Sequence, residues 1–188
     1  MKFNLPIALT WFRIVAIPLV VIVFYWPAPW ARPAAGLLFG LAGITDYFDG
    51  YLARRLGQTS KFGAFLDPVA DKLIVSTALV LIVQADPRWE LAIVGAIIIG
   101  REITVSALRE WMSQIGARAH VAVNYFGKWK TTFQIIGIAL MLYRDPLPLM
   151  TGEAYTVGEV LLYLAAALTL WSMVDYLRAA WPVMRETD

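Results

Sequence analysis

Four aspartates between residues 46 and 71 have the side-chain chemistry and the spacing of a metal or phosphate site. Asp46 and Asp49 are three residues apart, and Asp67 and Asp71 are four apart, so on helices each pair lies on one face, a turn apart. The intervening Gly-Gln-Thr-Ser sequence at 57–60 predicts a break after which the second helix runs back antiparallel to the first. The four carboxylates are therefore predicted to converge.

Converging carboxylates need counter-charge, because like charges raise each other's pKa. Two Mg²⁺ or Mn²⁺ ions would balance four aspartates, and both metals accept oxygen ligands while leaving positions for substrate phosphates. Gly50, Ala53 and Gly63 have almost no side chain, which would let a nucleotide pyrophosphate approach the backbone, and Arg54 would pair with a phosphate oxygen. Spacing alone leaves open a solvated cytoplasmic loop in which the acids pair with neighbouring basic residues.

The composition indicates that these residues are positioned by membrane helices. Of 188 residues, 60% are hydrophobic and 16% charged, against roughly 45 to 50% and 25% in soluble domains. The absence of cysteine excludes disulfides and thiolate metal sites. A formal net charge of +2 gives no argument for a nucleic-acid partner.

Six charge-free runs predict six membrane-spanning helices. Each run is shorter than the roughly 20 residues that a spanning helix needs, so completing the helices brings charged neighbours toward membrane depth. Ionisable residues at that depth are functional candidates, because each costs about 2.5 to 3.5 kcal/mol at a helix centre on insertion scales. The runs cover residues 14–31, 33–45, 73–85, 91–100, 131–143 and 160–174, and the charged neighbours are Arg13, Asp46, Asp49, Arg101 and Lys130.

The distribution of basic residues predicts the orientation of these spans. The sixteen lysines and arginines are divided unequally between the two sides of the predicted membrane protein. Three lie in the first, third and fifth loops, which share one side: Arg32, Arg88 and Arg144. The other thirteen lie on the opposite side. By the positive-inside rule, both termini and the two long charged connections face the cytoplasm.

The segment 46–71 resembles the signature of the CDP-alcohol phosphatidyltransferase family, Asp-x2-Asp-Gly-x2-Ala-Arg-x8-Gly-x3-Asp-x3-Asp, with all eight fixed residues present. The resemblance extends over nearly the whole chain, through Asn4, Pro6, Thr10 and Arg13 at the start, the 101–111 segment and the 127–132 segment. It implies a single domain over 1–188: an all-α integral membrane protein with six transmembrane helices and the active site at their cytoplasmic ends. It also implies the bacterial cytoplasmic (inner) membrane and a homodimer.

The resemblance implies that an alcohol attacks the phosphorus bearing diacylglycerol in CDP-diacylglycerol and releases CMP. The subgroup that this chain resembles uses sn-glycerol 3-phosphate as the acceptor. Asp46, Asp49 and Asp67 would be the principal metal ligands, and Asp71 would touch the second metal and accept the hydroxyl proton as general base. The implied CDP-diacylglycerol-binding residues are Thr10, Gly50, Ala53, Arg54 and Gly63.

An acceptor that carries a phosphate dianion requires a separate basic pocket. Arg101, Arg109, Lys128 and Lys130 lie at the predicted cytoplasmic ends of the fourth and fifth spans, and Arg101 and Arg109 are about two helical turns apart. The alternative is that these side chains extend to anionic lipid headgroups. Arg101 follows an apolar run directly, which predicts an inward-facing side chain.

Two other functions remain open at this stage. The acceptor would be serine, inositol phosphate or phosphatidylglycerol in related enzymes, although serine or a lipid has less need for this many cations. A cation-coupled transporter would also explain charges at membrane depth, but it does not account for small residues at Gly50, Ala53 and Gly63, and no inverted repeat is visible.

Overall fold

The computed structural model describes residues 5–56, 61–115, 126–144 and 154–186, with the side chains of 5–7, 9, 46–56, 61–64, 126–128 and 186 outside that description. Within these ranges the chain forms six helices and no strand, which confirms the all-α prediction. The helices are α1 (Leu5–Phe24), α2 (Ala31–Leu56), α3 (Lys61–Ala85), α4 (Trp89–Gln114), α5 (Phe126–Tyr143) and α6 (Ala154–Glu186).

The helices are longer than the charge-free runs from which they were predicted. α2 and α4 each have 26 residues and α6 has 33, so they extend about 39 Å and 50 Å at 1.5 Å per residue. The hydrocarbon layer is about 30 Å thick. The charged ends of these helices, which include Asp46, Asp49 and Arg101, are therefore continuous with the apolar segments and not separate loops.

An apolar core joins all six described helices, and large apolar side chains also cover the outer surface. Ala16, Phe39, Leu79, Ile98 and Ile138 are buried at the centre of this core. Leu37, Val80, Ile103, Val160 and Trp171 are exposed on the outside, which is typical of a surface solvated by lipid. Among the described residues, two helices are long and apolar enough to cross a membrane, Trp89–Gln114 and Ala154–Arg185.

Glycines allow α5 to approach α2 and α6 closely. A Cβ at Gly36 would lie 2.7 Å from the Ala139 carbonyl oxygen of α5. A Cβ at Gly137 would lie 2.9 Å from the Gly158 carbonyl oxygen, and one at Gly158 would lie 2.8 Å from the Gly137 carbonyl oxygen. Backbone contact of this kind is a common way to pack membrane helices. Gly36 thus sets the approach of α2 to α5, and the Gly137–Gly158 pair sets that of α5 to α6.

The short loop between the C-terminal end of α3 and the N-terminal end of α4 contacts α6. Arg88 forms ion pairs with Asp86 (Nη2–Oδ2, 2.9 Å) and with Glu159 of α6 (Nη1–Oε1, 2.9 Å), and the Tyr155 hydroxyl donates to Asp86 Oδ2 at 2.7 Å. Hydrogen bonds from Arg88 and Tyr155 lower the pKa of Asp86 below its ordinary value. These contacts fix α6 against the α3–α4 hairpin, and α6 carries part of the candidate site.

Candidate active site

Asp67 and Asp71 lie a turn apart on α3, as their spacing predicted, and both are partly buried. The Thr10 hydroxyl of α1 donates a hydrogen bond to Asp67 Oδ1. Thr10 and Arg13 are a turn apart on α1 and are 2% and 0% exposed. α1 therefore places the Thr10 hydroxyl and the buried Arg13 guanidinium on one face. The hydroxyl contacts Asp67, which is a predicted metal ligand.

The other members of the acidic segment are located only by their helices. Asp46, Asp49, Gly50, Ala53 and Arg54 belong to the second half of α2, so Asp46 and Asp49 are on one continuous helix as predicted. Gly63 lies in the first turn of α3. The side chains of these residues, and the predicted break at 57–60, lie outside the described residues, so convergence of the four carboxylates stays a prediction. Among the described side chains, no three His, Asp or Glu residues form a metal-binding group.

Arg101 and Lys130 come together around a shared carboxylate. Glu102 Oε1 accepts a hydrogen bond from Arg101 Nη1 at 2.8 Å and another from Lys130 Nζ at 3.2 Å. Arg101 is 7% exposed and Lys130 is 5% exposed. The burial of Arg101 confirms the inward face predicted from its position after an apolar run. Two buried cations with one carboxylate between them leave a net positive charge, which suits an anionic ligand.

Arg109 and Lys128 differ from this pair. Arg109 is exposed on α4, the same helix as Arg101, and forms part of the predicted basic group without being buried. Lys128 belongs to the first turn of α5, and its side chain lies outside the described residues. Only Arg101 and Lys130 of the four predicted phosphate-binding residues are therefore brought together by contacts that the structure describes.

The sixth helix contributes residues that sequence reasoning missed. Arg101 Nη2 donates to Ser172 Oγ at 3.1 Å, and the Arg101 guanidinium carbon lies 5.7 Å from the centre of the Tyr176 ring. A signal was available, because Thr169, Ser172 and Tyr176 follow the i, i+3, i+7 spacing of one helix face at the end of an apolar run.

The described side chains include donors that suit an anion at one place and oxygen donors that suit a hard cation at another. Carboxylate and hydroxyl oxygens are the ligands that Mg²⁺ and Mn²⁺ prefer, and α3 and α1 supply them at Asp67, Asp71 and Thr10. Arginine and lysine are the usual phosphate-binding residues, and α4 and α5 supply Arg101 and Lys130. This combination suits the transfer of a phosphate-containing group.

Comparison with known proteins relates this geometry to a family. A family model described as CDP-alcohol phosphatidyltransferase matches residues 3–171. The chain belongs to the CDP-alcohol phosphatidyltransferase family. This membership confirms the resemblance read from the eight-residue signature, and it makes the protein one of the transferases of that family.

Curated bacterial relatives match almost end to end. Proteins named CDP-diacylglycerol--glycerol-3-phosphate 3-phosphatidyltransferase from Shigella flexneri serotype 5b (strain 8401), Salmonella choleraesuis (strain SC-B67) and Escherichia coli (strain K12) are 50%, 49% and 49% identical to this chain. Each match spans 180 residues, which is 96% of this chain and 96% of the relative. This CDP-alcohol phosphatidyltransferase therefore has relatives of the same length that share one named activity.

Proposed function

We propose that this protein transfers the phosphatidyl group of CDP-diacylglycerol to sn-glycerol 3-phosphate, giving phosphatidylglycerophosphate and CMP in phospholipid biosynthesis. The observation that carries the proposal is about 50% identity over 96% of both chains to relatives named for this activity. The contact between Arg101, Glu102 and Lys130 supports it independently, because an acceptor that brings its own phosphate needs buried cations of this kind.

Part of the proposal concerns two divalent metal ions, Mg²⁺ or Mn²⁺, held by Asp46, Asp49, Asp67 and Asp71. The described donors fit such ions, because Asp67 and Asp71 offer carboxylate oxygens from one face of α3. The Thr10 hydroxyl occupies one of the four or so lone-pair sites of the Asp67 carboxylate, which leaves others for a metal. When bound, the ions would neutralise negative charge on the phosphate oxygens of the donor.

The roles of the remaining residues follow from the chemistry of the transfer. The acceptor hydroxyl oxygen forms a bond to the phosphorus that bears diacylglycerol, the bond from that phosphorus to the CMP oxygen breaks, and the hydroxyl proton passes to the Asp71 carboxylate. Arg101, Lys130, Arg109 and Lys128 hold the acceptor's phosphate. Thr10, Gly50, Ala53, Arg54 and Gly63 bind CDP-diacylglycerol, with Thr10 also orienting Asp67 through its hydrogen bond.

The direct test of the proposed activity is an acceptor screen with labelled CDP-diacylglycerol and purified protein. We expect CMP release that requires Mg²⁺ or Mn²⁺ and sn-glycerol 3-phosphate, with little release when serine, inositol phosphate or phosphatidylglycerol replaces it. Preferred use of one of those acceptors would contradict the proposed acceptor and leave the family chemistry in place. Absence of CMP release with every acceptor would contradict the proposed activity itself.

The acceptor pocket gives a second prediction. Neutralising Arg101 or Lys130 removes a charge-assisted hydrogen bond of roughly 1.5 to 3 kcal/mol, so Arg101→Gln and Lys130→Gln are expected to raise the KM for glycerol 3-phosphate about 10- to 150-fold. The KM for CDP-diacylglycerol should change much less. Steady-state kinetics for both substrates, normalised to folded protein in the membrane, provide the measurement.

Arg178→Gln is a matched control, because Arg178 is an exposed basic residue of α6. It should leave both KM values unchanged. If the KM rose only for CDP-diacylglycerol in the Arg101 and Lys130 variants, these residues would belong to the donor site. Unchanged kinetics with a lower membrane level would instead favour contact with lipid headgroups.

The topology belongs to the proposal as well: six spans, both termini in the cytoplasm, the active site at the cytoplasmic ends of the helices, and location in the bacterial inner membrane as a homodimer. Reporter fusions after Asp86 and Arg144 should behave as external, and fusions after Gly57, Arg118 and Asp188 as cytoplasmic, because thirteen of sixteen basic residues lie on the second side. Two or more reversed reporters would contradict the six-span arrangement. Cross-linking in the membrane tests the dimer.

A further inference from the structure

The Ser172 hydroxyl of α6 donates one hydrogen bond and accepts another. Its Oγ donates to the Thr169 carbonyl oxygen one turn earlier, at 3.0 Å, and accepts from Arg101 Nη2 at 3.1 Å. A serine hydroxyl has one proton, so donation to Thr169 directs a lone pair toward Arg101. The orientation of this acceptor is therefore fixed by the helix that carries it.

Arg101 is held from two sides by this contact and by Glu102. Nη1 donates to Glu102 Oε1 at 2.8 Å, Nη2 donates to Ser172, and Tyr176 lies beside the guanidinium at 5.7 Å. These contacts engage two of the five N–H donors of a guanidinium. Nε is buried and has no hydrogen bond to any described residue. A long arginine side chain has many rotamers, and two anchors at its tip select among them.

We propose that Ser172 is a positioning residue for the acceptor: it holds the Arg101 guanidinium in the orientation that binds the phosphate dianion of glycerol 3-phosphate. This inference rests on the proposed function. Ser172 acts through Arg101 and not by contact with the substrate. It makes α6 part of the acceptor pocket, together with α4 and α5.

The position of Ser172 distinguishes this role from a simple tie between helices. Apolar residues already join α4 to α6 nearer the C-terminal ends of both helices, where Leu108, Met112 and Ala180 are buried together. The loop contact between Arg88 and Glu159 fixes the opposite end of α6. Because packing is provided on both sides, loss of one hydroxyl should affect the guanidinium more than the association of the helices.

The test measures kcat and both KM values for Ser172→Ala and for Ser172→Cys, a variant of similar size whose sulfur is a weak acceptor. Each should raise the KM for glycerol 3-phosphate about 3- to 10-fold, since one hydrogen bond contributes about 0.5 to 1.5 kcal/mol. The kcat and the KM for CDP-diacylglycerol should stay within about twofold. Ser172→Thr, which keeps the hydroxyl, should restore most of the affinity.

Ser106→Ala provides the matched control. Ser106 is also a helical serine, on α4, and its Oγ is buried with no hydrogen bond to a described residue. The control variant should leave the kinetics unchanged. A double variant of Ser172→Ala with Arg101→Gln should have no higher KM for glycerol 3-phosphate than Arg101→Gln alone, because the two residues act as one unit.

The outcomes separate this inference from the function on which it rests. If Arg101→Gln raises the KM for glycerol 3-phosphate and the Ser172 variants do not, positioning by Ser172 is wrong and the acceptor pocket stands. If Arg101→Gln itself has no effect on that KM, the pocket is wrong and the inference fails with it. A lower yield of the Ser172 variants with unchanged KM per folded molecule would make the contact purely structural and overturn the proposal.

Discussion

Asp67→Asn is expected to abolish nearly all turnover. Loss of an outer-shell partner of a metal ligand typically costs about 10- to 100-fold in affinity or activity. If Asp67 binds the metal directly, as proposed, its replacement by a neutral amide should lower kcat by at least about 10³-fold. Asp46→Asn and Asp49→Asn should behave alike, because α2 carries them as a pair a turn apart. The measurement is CMP release as a function of Mg²⁺ or Mn²⁺ concentration.

Thr10→Val is the informative comparison for Asp67. It removes the hydroxyl that donates to Asp67 Oδ1 and leaves the carboxylate in place. The rate of CMP release by this variant should therefore fall by about 10- to 100-fold at most. If Asp49→Asn or Asp67→Asn kept activity within about threefold of the unaltered protein, which is under 1 kcal/mol of barrier, the assignment of two metals would be abandoned.

Asp71→Asn is expected to separate metal binding from turnover. The amide cannot accept the acceptor's hydroxyl proton, and a general base contributes on the order of 10² to 10⁴ in rate. The variant keeps an amide oxygen one turn from Asp67 on α3 and retains the other three aspartates, so most of the binding should survive. Direct titration of the purified variant with Mn²⁺, alongside the CMP assay, measures both quantities.

Two results would contradict this role for Asp71. Equal losses of Mn²⁺ affinity and turnover would make Asp71 an ordinary ligand, with the proton accepted elsewhere. Near-normal turnover would remove it from the site. Asp175→Asn, which alters a partly buried carboxylate on α6, should change neither quantity and controls for a general effect of charge.

Local features of the site were predictable because helical periodicity is a local property. Residues three or four apart share a face on any helix, which placed Asp67 with Asp71 and Asp46 with Asp49 before the helices were known. The inward face of Arg101 was predicted from its position directly after an apolar run, where an inward guanidinium can find polar partners inside the protein. Composition predicted the all-α fold for a similar reason, because a spanning helix satisfies its own backbone hydrogen bonds.

The partners of these residues required the tertiary structure. Arg101 and Ser172 are 71 residues apart, Lys130 and Glu102 are 28 apart, and Thr10 and Asp67 are 57 apart. No local sequence pattern determines which face of one helix packs against which face of another. That choice depends on where backbones approach, as at Gly137 and Gly158, and on how side chains fill the core between helices. Residue types and spacing indicated metal and phosphate ligands on apolar helices, and the resemblance to a family signature indicated the transfer reaction. The rotation and pairing of α4, α5 and α6 placed Ser172 beside Arg101, because packing acts between segments that are distant along the chain.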